Sequence, residues 1–218
     1  MKKQLTMTLF IFLFLTAFLS LGHAQTEVSK SVVPLPPSLK DLPTLEVEPW
    51  LQVEPGDIFL EGPAFDRQGN LYVSSIFDNR VLKITPEKKV TTILQQDGLM
   101  PDGIAIHKDG RLFLACLSGK VATVNPDGSN LTFIEARWQG APRSANDLVF
   151  DSKGNFYITD FTGTVTDPSG GVYRYSADLM TVRPVYINLA AANGVGLSPE
   201  GNVLWVSETC RNNLHRFQ

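Results

Sequence analysis

The sequence predicts an all-β fold, a β-propeller of the six-bladed type with about four blades present in this chain. Three observations carry that reading. One short phrase recurs four times, opening at Glu61, Asp102, Asn146 and Asn193: a polar residue, usually a small residue, apolar alternation, a turn glycine and a second apolar strand. The glycine (Gly69, Gly110, Gly154, Gly201) falls eight residues after the opening residue in every copy, and the openings are spaced 41, 44 and 47 apart. A period in the forties with several short strands per unit marks a propeller, each unit being one blade. Long amphipathic helical patterns are absent beyond the N-terminal segment.

The elements follow in order. Residues 1–24 read as a signal peptide: Lys2 and Lys3 give the positive start, Leu9 to Leu21 is an almost unbroken apolar run, and Gly22-His23-Ala24 supplies small residues for cleavage. An uncleaved anchor is the alternative, since the run nearly suffices to span a bilayer. Gln25 rather than cysteine follows, which argues against a lipoprotein. The mature chain is therefore expected to be periplasmic or secreted, with no stable membrane association after cleavage. Residues 25–45, with Pro34, Pro36, Pro37 and Pro43, form a Pro-rich leader. The alternation from Leu45 to Pro55 predicts a strand that closes a neighbouring blade. Residues 46–218 form the partial propeller.

Blade one is predicted from Glu61 to about Gln95, with strands near 61–66, 70–76, 80–85 and 89–95. Blade two runs from Asp102 to about Arg137 and blade three from Asn146 to about Asn188, with a longer connection at 164–171. Blade four starts at Asn193 and has three strands, 193–198, 202–208 and 212–217. Period-2 alternation bounded by Gly, Pro, Asn and Asp licenses each strand. Six blades of this width need roughly 80 to 100 further residues, so the chain reads as the front two-thirds of a propeller. Strand edges left open in this way invite self-association, so residues 1–218 on their own are expected to be poorly soluble or to assemble into oligomers.

The 218 residues carry a net charge of −3 and are 43% hydrophobic, with no dense Lys/Arg run, so no nucleic-acid partner is expected. Cys116 and Cys210 are too few for a disulfide framework; both read as buried thiols, and a bridge stays open for an exported chain. His107 reads as structural. Trp50, Trp138 and Trp205 read as packing between blades. Ser74, Ser75 and Ser207 have no His/Asp partners in the pattern of a serine hydrolase.

Equivalent residues of a propeller meet around one central channel. Glu61, Asp102, Asn146 and Asn193 are all oxygen donors in one register, which proposes a metal site. Oxygen donors favour a hard cation such as Ca²⁺, Mg²⁺ or Mn²⁺. Each has a plainer reading: Glu61 as a solvated strand start, the asparagines as side-chain turns before their strands. Gly62 and Gly194 are expected to leave room beside their neighbours, and Asp147 to hold Asn146 by a hydrogen bond.

The phrases Leu60-Glu61-Gly62-Pro63, Asn146-Asp147-Leu148-Val149-Phe150-Asp151, Gly170-Gly171-Val172-Tyr173 and Asn193-Gly194, in this order, resemble the SMP-30/gluconolactonase/LRE-like family. The likeness covers about residues 46–217. It implies a six-bladed propeller that hydrolyses a small-molecule lactone with one divalent cation in the channel. The ion is Ca²⁺ foremost, with Mg²⁺, Mn²⁺ or Zn²⁺ as the other candidates. By the resemblance the metal ligands fall on Glu61, Asn146 and Asn193. A further Asp, which also serves as acid/base, belongs to a later blade beyond residue 218, so activity of this chain is expected to be impaired. Asp102 is left as a channel-lining, substrate-binding position. Arg143 stands where related lactonases place substrate-facing side chains; by itself it reads equally as a surface arginine. A second, structural calcium is not expected, because the loop Leu117-Ser118-Gly119-Lys120 is short and Arg143 occupies the later segment. The alternative from another class is a non-catalytic propeller that binds a protein or glycan on its channel face.

Overall fold

Alternating apolar residues between turn signals become a series of four-stranded meanders. The computed structural model describes residues 47–56, 58–135 and 142–218. Residues 1–24, read above as a signal peptide, all of the Pro-rich leader and Trp138 lie outside the described residues. Blade one is β1 (Leu60–Phe65), β2 (Leu71–Ser75), β3 (Arg80–Ile84) and β4 (Val90–Gln95). Blade two is β5 (Pro101–Ile106), β6 (Leu112–Cys116), β7 (Val121–Val124) and the short β8 (Thr132–Phe133). Blade three is β9 (Ala145–Phe150), β10 (Phe156–Asp160), β11 (Gly170–Tyr175) and β12 (Val182–Leu189). Blade four is β13 (Ala192–Leu197), β14 (Leu204–Glu208) and β15 (Asn213–Phe217). Every strand pairs antiparallel with its sequence neighbour, in four separate sheets. No helix occurs among the described residues.

The turn between the first two strands of each blade explains the repeated glycine. Gly69, Gly110, Gly154 and Gly201 each donate their N–H to the carbonyl three residues earlier. Their φ values are +81°, +93°, +85° and +70°, a region that a side chain disfavours. In blades one and three an aspartate ties the turn: Asp66 accepts from Gln68, Asn70 and Tyr72, and Asp151 from Lys153 and Asn155.

The cores lie between blades rather than within them. Tyr72 of blade one packs with Ile104, Leu112 and Leu114 of blade two. Phe113 and Ala115 of blade two pack with Leu148, Phe156 and Tyr175 of blade three. Val172 and Leu189 join Ala192, Leu204 and Val206 at the next seam. Tyr72, Phe113 and Phe156 are fully buried or nearly so, each stabilising by roughly 1.5–3 kcal/mol. In blade four the buried Glu208 accepts from Ala190 N–H, Arg211, Asn213 and His215, which fixes the β14–β15 hairpin to the strand entering from blade three.

Three expectations need correction. Residues 47–55 form no strand. Leu51 and Val53 instead lay their side chains against Val73, Leu82 and Ile84 of blade one, and Trp50 O accepts from Lys88 Nζ. Trp50 and Trp205 are surface residues, 47% and 40% exposed, lying near Lys88 and Arg216 rather than between blades. Cys116 is buried as expected, but Cys210 is exposed because it sits in the β14–β15 turn; both are free thiols.

Candidate metal centre

The first strand of each blade is innermost: β1 touches β5, β5 touches β9, and β9 touches β13. Each of these strands carries one extra residue relative to its partner, at the same place in blades two to four and one residue later in blade one. Glu61 and Ala64, three apart, face Ser74 and Tyr72, two apart. Pro101 and Ile104 face Cys116 and Leu114; Ala145 and Leu148 face Asp160 and Ile158; Ala192 and Val195 face Glu208 and Val206. A bulge bends the strand and re-aims its side chains. The four register residues sit in or beside this bulge, and all four line one cavity of about 310 Å³. Because the bulge occurs in every copy, it leaves the repeat spacing unchanged and is invisible to a comparison of copies.

The residue after the register position decides how closely the blades approach. A Cβ on Gly62 would overlap the carbonyl of Asp102, and one on Gly103 would overlap the Asn146 carbonyl and the Asp147 backbone. These glycines therefore admit the backbone of the next blade, which corrects the expectation that Gly62 leaves open space. In the third copy the chain uses Asp147 instead, and this aspartate does not bond Asn146. Its Oδ1 accepts from Leu148 N–H at 2.8 Å and its Oδ2 from Val195 N–H at 2.9 Å, tying β9 to β13. Thr159 supports the tie: its Oγ1 accepts from Asp147 N–H and donates to Asn193 O at 2.6 Å. Met100 and Ala191, each two residues before a register residue, hold φ of +50° and +59°, strain that the surrounding hydrogen bonds maintain.

The cavity lining contains three carboxylates (Glu61, Asp102, Asp147), two amides (Asn146, Asn193) and no Lys, Arg or His. Asp102 is 4% exposed. Its pKa is pushed from 3.8 up to about 7, by burial first and then by the charges of Glu61 and Asp147. Asp147 is also raised by burial, against the hydrogen bonds from Val195 and Leu148, with Glu61 adding to the rise. Asp102 Oδ2 accepts from Asn146 Nδ2 at 2.7 Å. This bond turns Asn146 Nδ2 toward Asp102 and leaves Asn146 Oδ1 free. Glu61 makes only a long contact with Gly62 N–H, 3.4 Å. Among the described residues no three His, Cys, Asp or Glu side chains group as a chelate by themselves, so an ion in this cavity needs the amide oxygens. The donors fit a hard cation: oxygen only, net negative and without a basic counter-charge.

Arg143 does not line this cavity. Its Nη2 donates to Thr162 Oγ1 and Ser169 O, both at 2.7 Å, and its Nε lies 3.7 Å from the buried Asp160. His107 packs on Phe113 and Phe150 beside Asp109.

The sequence model of the SMP-30/Gluconolactonase/LRE-like region matches residues 59–218. The chain is 42% identical over 200 residues to lactonase drp35 of Staphylococcus saprophyticus, covering 89% of this chain and 61% of that protein. It is 43% identical over 195 residues to lactonase drp35 of Staphylococcus aureus, covering 87% and 60%. This chain thus spans about three-fifths of the length of these relatives. Among solved structures, a gluconolactonase from Xanthomonas campestris superposes with a TM-score of 0.65 at 23% identity, over 76% of this chain and 60% of that one. The calcium-binding protein regucalcin from Agrobacterium tumefaciens superposes with a TM-score of 0.59 at 18% identity, over 73% and 53%. Four antiparallel blades, inner strands bulged beside the register residues and a match over most of the chain lead to one assignment: the chain belongs to the SMP-30/gluconolactonase/LRE-like family.

Proposed function

We propose that the protein is a metal-dependent lactone hydrolase whose divalent ion, Ca²⁺ foremost, is held by Glu61, Asn146 and Asn193. The observation that carries this reading is the cavity in which three carboxylates and two amides converge without a basic side chain. When bound there, the ion supplies electrophilic polarisation of a lactone carbonyl and stabilises the oxyanion formed on attack by water. Family membership supports the reaction class, and the lactonase names of the relatives support the lactone substrate.

The chain's own residues divide the work. Glu61 supplies the charged oxygen, and Asn146 and Asn193 supply neutral ones. Asp102 orients Asn146 through its Oδ2 and, being buried in the lining, stands where a substrate oxygen is bound. Asp147 and Thr159 hold β9 and β13 in register so that Asn146 and Asn193 share the cavity. Arg143 is proposed as a second substrate contact at the rim, released from Ser169 O to reach it. The resemblance gives the acid/base carboxylate to a later blade, so residues 1–218 alone are proposed to be impaired. Residues 1–24 are proposed to direct export.

The test is an assay of gluconolactone and dihydrocoumarin opening by protein that carries the later blade with its acid/base carboxylate. Hydrolysis that disappears on chelation, returns with Ca²⁺ and is absent in Glu61→Gln supports the reading. Full activity in a sample shown to be metal-free overturns it.

A further inference from the structure

One position on the second strand of each blade stands across from the register residue. It is Ser74, Ala115, Thr159 and Ser207 in blades one to four. In each case the next residue pairs with the one just ahead of the register residue: Ser75 with Leu60, Cys116 with Pro101, Asp160 with Ala145 and Glu208 with Ala192. The three blades that supply the proposed ligands Glu61, Asn146 and Asn193 carry a hydroxyl here. Blade two, whose Asp102 is outside that set, carries an alanine.

Two of the three hydroxyls are engaged with backbone. Thr159 Oγ1 accepts from Asp147 N–H at 3.0 Å and donates to Asn193 O at 2.6 Å. Ser207 Oγ donates to Gly194 O at 3.5 Å. Ser74 differs. It is fully buried, and its Oγ has no hydrogen-bond partner among the described residues. A buried hydroxyl without a partner is costly, and in a native fold it calls for an explanation.

The explanation lies across the strand. Glu61 is the direct partner of Ser74, so the two side chains leave the same face with Cβ atoms about 5 Å apart. A glutamate is long enough to bring one oxygen to a serine hydroxyl at that separation. The Glu61 carboxylate is itself held loosely, by the 3.4 Å contact from Gly62 N–H. An idle donor and a loosely held acceptor therefore stand side by side.

We propose that Ser74 is the positioning residue for the Glu61 ligand. Its hydroxyl donates to one carboxylate oxygen of Glu61 and leaves the other for the cation. The bond forms as Glu61 turns from Gly62 N–H toward the ion, so cation binding satisfies a hydroxyl that is otherwise idle. Ligating carboxylates are commonly held by such a further hydrogen bond, and its loss weakens metal binding. The inference rests on the reading of Glu61 as a cation ligand and adds the group that aims it.

Calorimetric titration of Ca²⁺ into metal-free protein, with chemical denaturation of the same samples, tests this. Ser74→Ala is expected to weaken Ca²⁺ binding about tenfold. It is expected to leave the denaturation midpoint of the metal-free protein unchanged or higher, because the deleted hydroxyl makes no bond there. Thr159→Val, the same deletion where the hydroxyl is bonded, is expected to lower that midpoint. A serine with a merely structural role would behave as Thr159 does. No Ca²⁺ binding by the wild-type protein overturns the ligand reading and this inference with it. Ca²⁺ binding that Ser74→Ala leaves within twofold, or a fall in its metal-free midpoint matching that of Thr159→Val, overturns this inference alone.

Discussion

The channel cavity and the hairpin turns lie at opposite ends of the same two strands, β1 and β5, and treat aspartate in opposite ways. At the channel end Asp102 is pushed up to about 7 by burial and by the charges of Glu61 and Asp147. At the turn end burial also raises Asp66 and Asp109, but their hydrogen bonds outweigh it and both are lowered overall. The difference is in the donors. Asp66 and Asp109 are surrounded by N–H and O–H groups that favour the ionised form. Asp102 has one amide donor and two carboxylate neighbours. A lowered carboxylate here marks a turn the fold needs, whereas a raised one marks charge that the fold leaves without a counter-charge. Perturbed carboxylates in a cavity are functional candidates for this reason.

The comparison breaks most severely at the glycines. Gly103→Ala drives a Cβ into the Asn146–Asp147 backbone and is expected to cost more than about 3 kcal/mol or prevent folding. Gly110→Ala meets nothing within 4 Å but keeps a φ of +93°, and is expected to cost about 1 kcal/mol. Chemical denaturation of the two variants measures the gap.

The same Asp→Asn change is expected to have opposite signs at the two ends. Asp66→Asn replaces one of two carboxylate oxygens, each the acceptor of two hydrogen bonds, by a donor NH2 and is expected to destabilise by about 1–3 kcal/mol. Asp102→Asn relieves repulsion in the metal-free protein and is expected to stabilise it by up to about 1 kcal/mol at pH 8, while weakening the hold on Asn146.

The pH profile follows from the directions. Asp102 is raised, so the fold favours its protonated form, and stability of the metal-free protein declines as pH climbs from the ordinary 3.8 to about 7. Asp66 and Asp109 are lowered, so their contribution is present above the ordinary value and is lost as pH falls below it. Melting temperatures across pH are expected to fall on both sides, with Ca²⁺ removing only the decline at higher pH and Asp102→Asn reducing it, since Asp147 is raised as well. Smallest of all, Ala191→Gly relieves a φ of +59° and is expected to shift stability by less than about 1 kcal/mol.

The sequence made much of this legible, and for physical reasons. Gly69, Gly110, Gly154 and Gly201 reveal the blades because only a glycine turn of positive φ joins these strands comfortably. Glu61, Asn146 and Asn193 could be grouped because rotation about a propeller axis preserves register. The bulge beside them was hidden because all four copies share it. The tie from Asp147 to Val195 was hidden because it replaces a glycine by a side chain that reaches across to the next blade. Residues 47–55 alternate like a strand, yet Leu51 and Val53 pack on a face of blade one without the segment pairing.

Calorimetric titration of Ca²⁺ into the metal-free protein tests the central claim most directly. One equivalent is expected to bind, Glu61→Gln is expected to weaken it at least tenfold, and Asn146→Ala is expected to weaken it less. An absence of binding, or binding that Glu61→Gln leaves unchanged, would contradict the assignment of the channel cavity as a cation site.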